Sequence, residues 1–170
     1  MGATTRVSLE EYLNTDYEPD CDYVDGVLEE RNVGRKRHAK AQTRLTLWLG
    51  ARERQYGYQV LVEQRVKVAG ARVRVPDICV TAANDDDEVQ ERPPFLCIEV
   101  WSPEDRMKRV EARLKDFVAA GVPAVWLIDP YSKQAWTMTE GTPLKKVEDG
   151  VLRCASPALE IPLSEIWPEE

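Results

Sequence analysis

Two short apolar runs, "FLCIEVW" (95–101) and "AVWLID" (124–129), lie on either side of one amphipathic stretch, "SPEDRMKRVEARLKDFVAAG". Met107, Val110, Leu114, Phe117 and Val118 recur there at helical spacing. A strand of buried type, a helix and a second such strand favour a crossover, which lays the strands parallel with the helix on one face. Ser102 is a natural N-cap, Pro103 suits the first helical position, and Gly121 ends the helix.

Upstream, a helix runs from Lys36 to about Tyr56 on the spacing of Ala41, Leu45, Trp48 and Leu49, with Gly57 as its C-cap. "YQVLVEQRVKV" reads as one strand, with Val60, Val62, Val66 and Val68 on one parity. After Ala69-Gly70-Ala71 turns the chain, a second strand runs from about Arg72 to Ala82. With "FLCIEVW" these make a three-stranded antiparallel meander, so the middle of the chain is helix, three strands, helix, strand. Before it come a short helix with Ser8 and Glu11 as a capping box, then a hairpin turning on Asp25-Gly26. Short strands, turns and a Pro-punctuated tail follow. The expected fold class is α/β, an α+β mixed sheet, and at 170 residues one domain, 1–170.

Composition narrows the function. No apolar run approaches the length of a membrane span and the start lacks an apolar leader, so a cytoplasmic, bacterial-type protein is the expectation. Four cysteines without a C-x-x-C pair and one histidine argue against zinc. The net charge of −7 argues against general coating of DNA. The charge is segregated, however: residues 1–30 carry nine acids and one base, whereas 31–54 carry eight bases and one acid. That run is either a solvated helix face or a local polyanion site.

Asp77 in "RVRVPDICVTA" is out of place in a strand. By parity it shares a face with Val73, Val75 and Cys79, and Glu99 shares one with Phe95, Cys97 and Trp101. Gln64 falls at the same parity as the valines of the preceding strand, so three polar side chains reach core parity on successive strands. Two adjacent carboxylates need something to hold them together: a shared proton, an arginine or a divalent ion, with oxygen donors favouring Mg²⁺ or Mn²⁺.

"VPD" (75–77) and an acid some twenty residues on, in "CIEV" (97–100), resemble the PD-(D/E)XK nuclease superfamily. With "YVDG", "RH", "PPFLCIEVWSPEDR" and "AAGVPAVWLIDP" the chain is similar, over roughly 8–165, to the Uma-type family of restriction endonucleases. The resemblance implies a restriction-endonuclease-like core that hydrolyses DNA phosphodiester bonds with Mg²⁺ (or Mn²⁺) held by Asp77 and Glu99. The superfamily's lysine position is Trp101 here. Uma-type proteins often carry that lysine on the next helix, four residues before an aromatic; with Phe117 as the aromatic, the matching residue is Arg113. Arginine can stabilise charge on a phosphoryl group but is no base near neutral pH. Arg106, Arg109 and Arg113 form one stripe, which is either catalytic or simply exposed; Lys108 and Lys115 are alternatives. The family also places a histidine near the site, here His38, which otherwise reads as a cap or surface residue. Asp22 and Glu30 could add an acid, and "DDDE" (85–88) reads as solvent-facing. DNA is the implied partner and a homodimer suits cutting two strands. A nuclease fold without catalysis, used for binding or assembly, is the competing reading.

Overall fold

The computed structural model describes residues 6–32 and 34–167. Its centre is a six-stranded sheet in the order β10-β9-β8-β7-β6-β3, built from Lys145–Lys146, Gln134–Met138, Ala124–Asp129, Leu96–Val100, Ile78–Ala82 and Tyr58–Val62 respectively. β7 and β8 pair in parallel, and the other ladders of this sheet are antiparallel. The connection between β7 and β8 is α4, Met107–Ala119, as the flanking apolar runs require.

Side-chain alternation divides the sheet into two dry faces. Ile78, Val80, Leu96, Ile98, Trp126 and Ile128 pack with Ala41, Leu45 and Leu49 of α2, Lys36–Gly50. The hairpin of β11, Val151–Cys154, and β12, Leu159–Pro162, closes that side with Leu152, Leu159 and Ile161. On the other face Cys79, Cys97, Val125 and Leu127 meet Val110, Leu114 and Phe117 of α4. All four cysteines are free and buried. Val110, Leu114 and Phe117 are 1% exposed or less, so this helix is held by its apolar stripe.

A smaller sheet of Val27–Glu30 (β2), Cys21–Val24 (β1), Arg72–Arg74 (β5) and Val66–Ala69 (β4), in that order, carries the N-terminal hairpin. β1, Cys21–Val24, and β2, Val27–Glu30, turn on Asp25 and Gly26, both at positive φ (50° and 90°). A two-residue turn that follows the twist of its strands needs that conformation. Tyr12 of α1, Leu9–Leu13, stacks on Tyr23 at 5.2 Å and donates to the Cys21 carbonyl at 2.7 Å. Ser8 caps this helix through the Glu11 N–H.

The two long strands expected over 58–68 and 72–82 are each broken. β4 is Val66–Ala69 and β5 is Arg72–Arg74, and they pair with each other in the small sheet. β3 and β6 pair in the large one. The unit is one long hairpin bent at mid-length, with both strands yielding at the same level. Glu63 takes a left-handed φ of 52° on one strand. On the other, Pro76 has no N–H to give a ladder, and Asp77 follows it outside both strands. Parity counted from Val73 therefore does not carry through to Cys79. Gln64, in the first bend, donates to the Glu88 carbonyl at 2.8 Å, away from the two acids.

Two helix boundaries also differ. α2 stops at Gly50, and a separate turn of helix, α3 at Glu53–Tyr56, precedes Gly57, whose φ is 69°. α4 begins at Met107, because residues 102–106 form a turn in which Asp105 accepts the Ser102 N–H at 2.9 Å. Ser102 is thus inside that turn and is not the helix N-cap. No helix among the described residues is long and apolar enough to cross a membrane.

Candidate active site

The bend places Asp77 at the mouth of β6. One further step of the register Ile78↔Ile98 sets it opposite Glu99, the penultimate residue of β7. Its backbone is pinned there, since its carbonyl accepts from Gln42 Nε2 at 3.0 Å and from the Glu63 N–H at 3.3 Å. Side chains from four parts of the chain then close over this end of the sheet. Arg31 and Asn32 follow β2, His38 comes from the first turn of α2, Ser102 and Asp105 from the turn after β7, and Arg113 from α4. With Asp77, Glu99 and Val100 they line a cavity of about 20 Å³, room for one water-sized particle.

The two carboxylates are treated differently by their surroundings. Asp77, 5% exposed, has both oxygens engaged. Oδ1 accepts from Arg31 Nη2 at 2.7 Å, and Oδ2 accepts from the Val100 N–H at 2.7 Å and faces His38 Nε2 at 3.4 Å. Burial alone would raise its pKa, but His38, Arg31 and the Val100 N–H outweigh burial and hold it below the ordinary aspartate value. Glu99, 2% exposed, accepts from Arg113 Nη2 at 3.0 Å on Oε2 only. Its Oε1 is buried and has no hydrogen-bond partner. Burial pushes Glu99 up to about 7 despite Arg113, and the nearby charge of Asp77 adds to the rise. His38 is raised above its ordinary value, because the hydrogen bond and charge of Asp77 outweigh burial.

The four residues singled out from the sequence, His38, Asp77, Glu99 and Arg113, thus meet in one cavity. The basic stripe does not hold together: Arg106 and Arg109 are exposed, whereas Arg113 points inward to Glu99. Lys108 is exposed, and Lys115 faces Glu111 on the outer side of α4. Trp101 packs against the core on the α4 side. The hairpin acid Asp22 is buried within electrostatic reach of Arg113, but its hydrogen bonds run to a neighbouring cluster, where it accepts from Arg74 Nη1 and the Val75 N–H, both at 2.9 Å. Asp116 and Glu29 complete the ring round Arg74, each at 2.8 Å. Asp85, expected in solvent, is buried and accepts from Gln90 Nε2 at 2.6 Å.

Arg31 is the site residue that sequence reading missed. In the sequence it is one base among the eight of residues 31–54, and its partner lies 46 positions away. No local spacing marks such a contact; it follows from the hairpin and the bent unit meeting at one sheet end.

The donor chemistry fits a small hard cation. It consists of two carboxylates, one with a buried oxygen lacking any partner. Among the described residues no group of three or more His, Cys, Asp or Glu is arranged to hold a metal. Mg²⁺ commonly takes one or two carboxylates and keeps several waters, so two are enough. The room is less generous, because Arg31 already stands on Asp77 Oδ1.

Among solved structures, a putative nuclease belonging to DUF820 from Anabaena variabilis superposes with a TM-score of 0.84 at 19% identity, over 95% of this chain and 97% of that one. At that identity the likeness is one of fold. A DrdV–DNA complex matches at a TM-score of 0.39 and 16% identity, over 66% of this chain and 85% of that one, too low to carry an argument. No curated protein matches the chain significantly. The Uma2 family model, described as "Putative restriction endonuclease", matches residues 9–162. The chain, with this mixed sheet and this end-of-sheet cavity, therefore belongs to the Uma2 family.

Proposed function

We propose that the chain is a metal-dependent endonuclease hydrolysing DNA phosphodiester bonds at the Asp77–Glu99 cavity. The observation that carries this reading is the unequal pair of carboxylates at one sheet end. Asp77 is held ionised by its neighbours, while Glu99 has an affinity for protons near neutrality and one unpartnered oxygen. Asp77 and Glu99 would hold Mg²⁺ or Mn²⁺, which when bound supplies Lewis-acid activation of water and phosphate.

The protein's own groups have separable tasks. His38 Nε2 faces Asp77 Oδ2, which suits it to orient that carboxylate. Arg113 sits beside Glu99 and stays charged, so it can neutralise negative charge growing on the phosphoryl oxygens. Lys36, Arg37 and Lys40, exposed on the α2 turn that also carries His38, supply cations for the DNA backbone beside the cavity. The family description supports the same substrate class.

The test is conversion of supercoiled plasmid with Mg²⁺ or Mn²⁺ against EDTA, for the wild type and Asp77→Asn, with circular dichroism as a folding control. Metal-dependent nicking that Asp77→Asn abolishes supports the reading. Linear product at early times would point to a homodimer cutting both strands. No lysine lines the cavity and Trp101 stands where the superfamily has one. Those features favour a second reading, a nuclease-fold protein that binds DNA without cutting it. DNA retention without nicking in any metal would select it.

A further inference from the structure

Arg31 has no task in the scheme above, yet it makes the shortest ion-pair contact in the cavity. Its Nη2 lies 2.7 Å from Asp77 Oδ1, and its side chain is 14% exposed. Any cation taking Asp77 Oδ1 as a ligand would bind the same oxygen from within ordinary coordination distance, about 2.1 Å for Mg²⁺. The guanidinium and a divalent ion would then be neighbours on one atom, in a buried place where their repulsion is poorly screened. The cavity of about 20 Å³ admits one water-sized particle, so an ion placed there would stand directly against the guanidinium. That obstacle is removed by one movement, withdrawal of the Arg31 side chain.

The contacts beside Arg31 suit that movement. The Arg31 backbone is tied down by its N–H to the Asp20 carbonyl at 3.1 Å, so the side chain can turn while the chain stays. A second carboxylate waits beside it: Asp20 Oδ2 is 4.0 Å from Arg31 Nη1, on a side chain 34% exposed. His38 and the Val100 N–H keep Asp77 Oδ2 in place when Oδ1 is released.

We infer that Arg31 is a built-in counter-cation that occupies the metal place on Asp77, and that divalent metal loads only by displacing it toward Asp20. This rests on the proposed metal-dependent reading and deepens it. Arg31 is a positioning residue here: it sets how readily the site takes its ion, and it takes no part in bond breaking. The consequence is weak metal affinity in the DNA-free protein, set by competition with an internal cation.

Mn²⁺ binding followed by electron paramagnetic resonance on DNA-free protein tests this without any activity readout. Arg31→Gln should bind Mn²⁺ ~tenfold more tightly than wild type, or better, which is about 1.4 kcal/mol. Arg31→Lys keeps the charge and should stay near wild type. Equal or weaker binding by Arg31→Gln overturns the inference. If that binding is also lost in Arg31→Gln/Asp77→Asn, the metal site stands and only the displacement fails. Absence of binding in every variant ends both. A measurement on wild type covers failure of Arg31→Gln to fold: the ¹⁵N-labelled Arg31 guanidinium should show slowed rotation without metal and lose it as Mg²⁺ is added. A site saturated with Mg²⁺ while those signals stay unchanged would refute displacement.

Discussion

Glu99 makes stability depend on pH in a direction opposite to that of an ordinary salt-bridged acid. Its pKa rises from 4.5 in the unfolded chain to about 7 in the folded one, mainly through burial. Between those values the unfolded chain has released this proton and the folded protein keeps it. Stability on this account is therefore highest below 4.5, falls as pH climbs toward about 7, and is flat above. At 1.36 kcal/mol per pH unit the interval amounts to about 3 kcal/mol. Glu99→Gln removes the titration and keeps an oxygen for Arg113, so its stability should lack this slope. The sequence pI of 4.9 makes the acid end prone to precipitation, so the comparison belongs between about pH 5.5 and about pH 8, where about 2 kcal/mol of differential slope remains. His38, whose pKa is raised by Asp77, is present in both proteins, so its contribution largely cancels in the difference. Urea unfolding in EDTA, followed by tryptophan fluorescence, measures it. Parallel stability curves for wild type and Glu99→Gln would show that Glu99 is ionised normally and that the cavity is wetter than its burial implies.

The remaining expectations follow from the same contacts. Asp77→Asn should lose stability at neutral pH, by about 1–3 kcal/mol in urea titrations, because it strips charge from a carboxylate with three donors and leaves Arg31 buried without a counter-charge. Activity tests on this variant thus need the folding control, and an unchanged midpoint would mean that the three donors do not favour the ionised form. Protonated His38 stabilises the fold through Asp77, so its contribution is full below 6.5 and disappears as pH rises through its higher folded value; His38→Gln should flatten wild-type stability in that range. Arg113→Ala should slow plasmid nicking ~hundredfold and Arg113→Lys much less, and nicking by Arg113→Ala at the wild-type rate would remove it from the reaction. Reversing Lys36 and Lys40 to glutamate should weaken DNA retention and flatten its salt dependence without moving the melting temperature, since both are exposed.

Local pattern was enough for everything that depends on a few turns or one strand pair. The crossover from β7 through α4 to β8 was legible because an apolar stripe between two buried runs has few other solutions. The Asp25-Gly26 hairpin was legible because the turn demands residues that accept positive φ. Asp77 and Glu99 were marked by being charged where the flanking residues are apolar, and the PD…E resemblance singled out the same pair. Local rules failed where a tertiary one overrode them, most clearly at the bent strands and at Ser102. Strand parity treated 58–68 and 72–82 as straight, but the chain bends at Glu63 and Pro76 to serve two sheets. Helix capping placed Ser102 at the start of α4, but Asp105 takes its N–H into a turn first.

What only the tertiary structure decided is the state of each carboxylate. A sequence shows that two acids share an apolar setting; it does not show which cation answers which oxygen. Arg31 reaches Asp77 across 46 residues and Arg113 reaches Glu99 across 14, through the meeting of a hairpin, a bent strand pair and a helix at one sheet end. Charge interactions inside a protein fall off with distance in space and are indifferent to distance along the chain. Periodicity can place an acid on a face, but whether it is held ionised like Asp77 or biased toward its proton like Glu99 depends on partners that folding alone brings within reach.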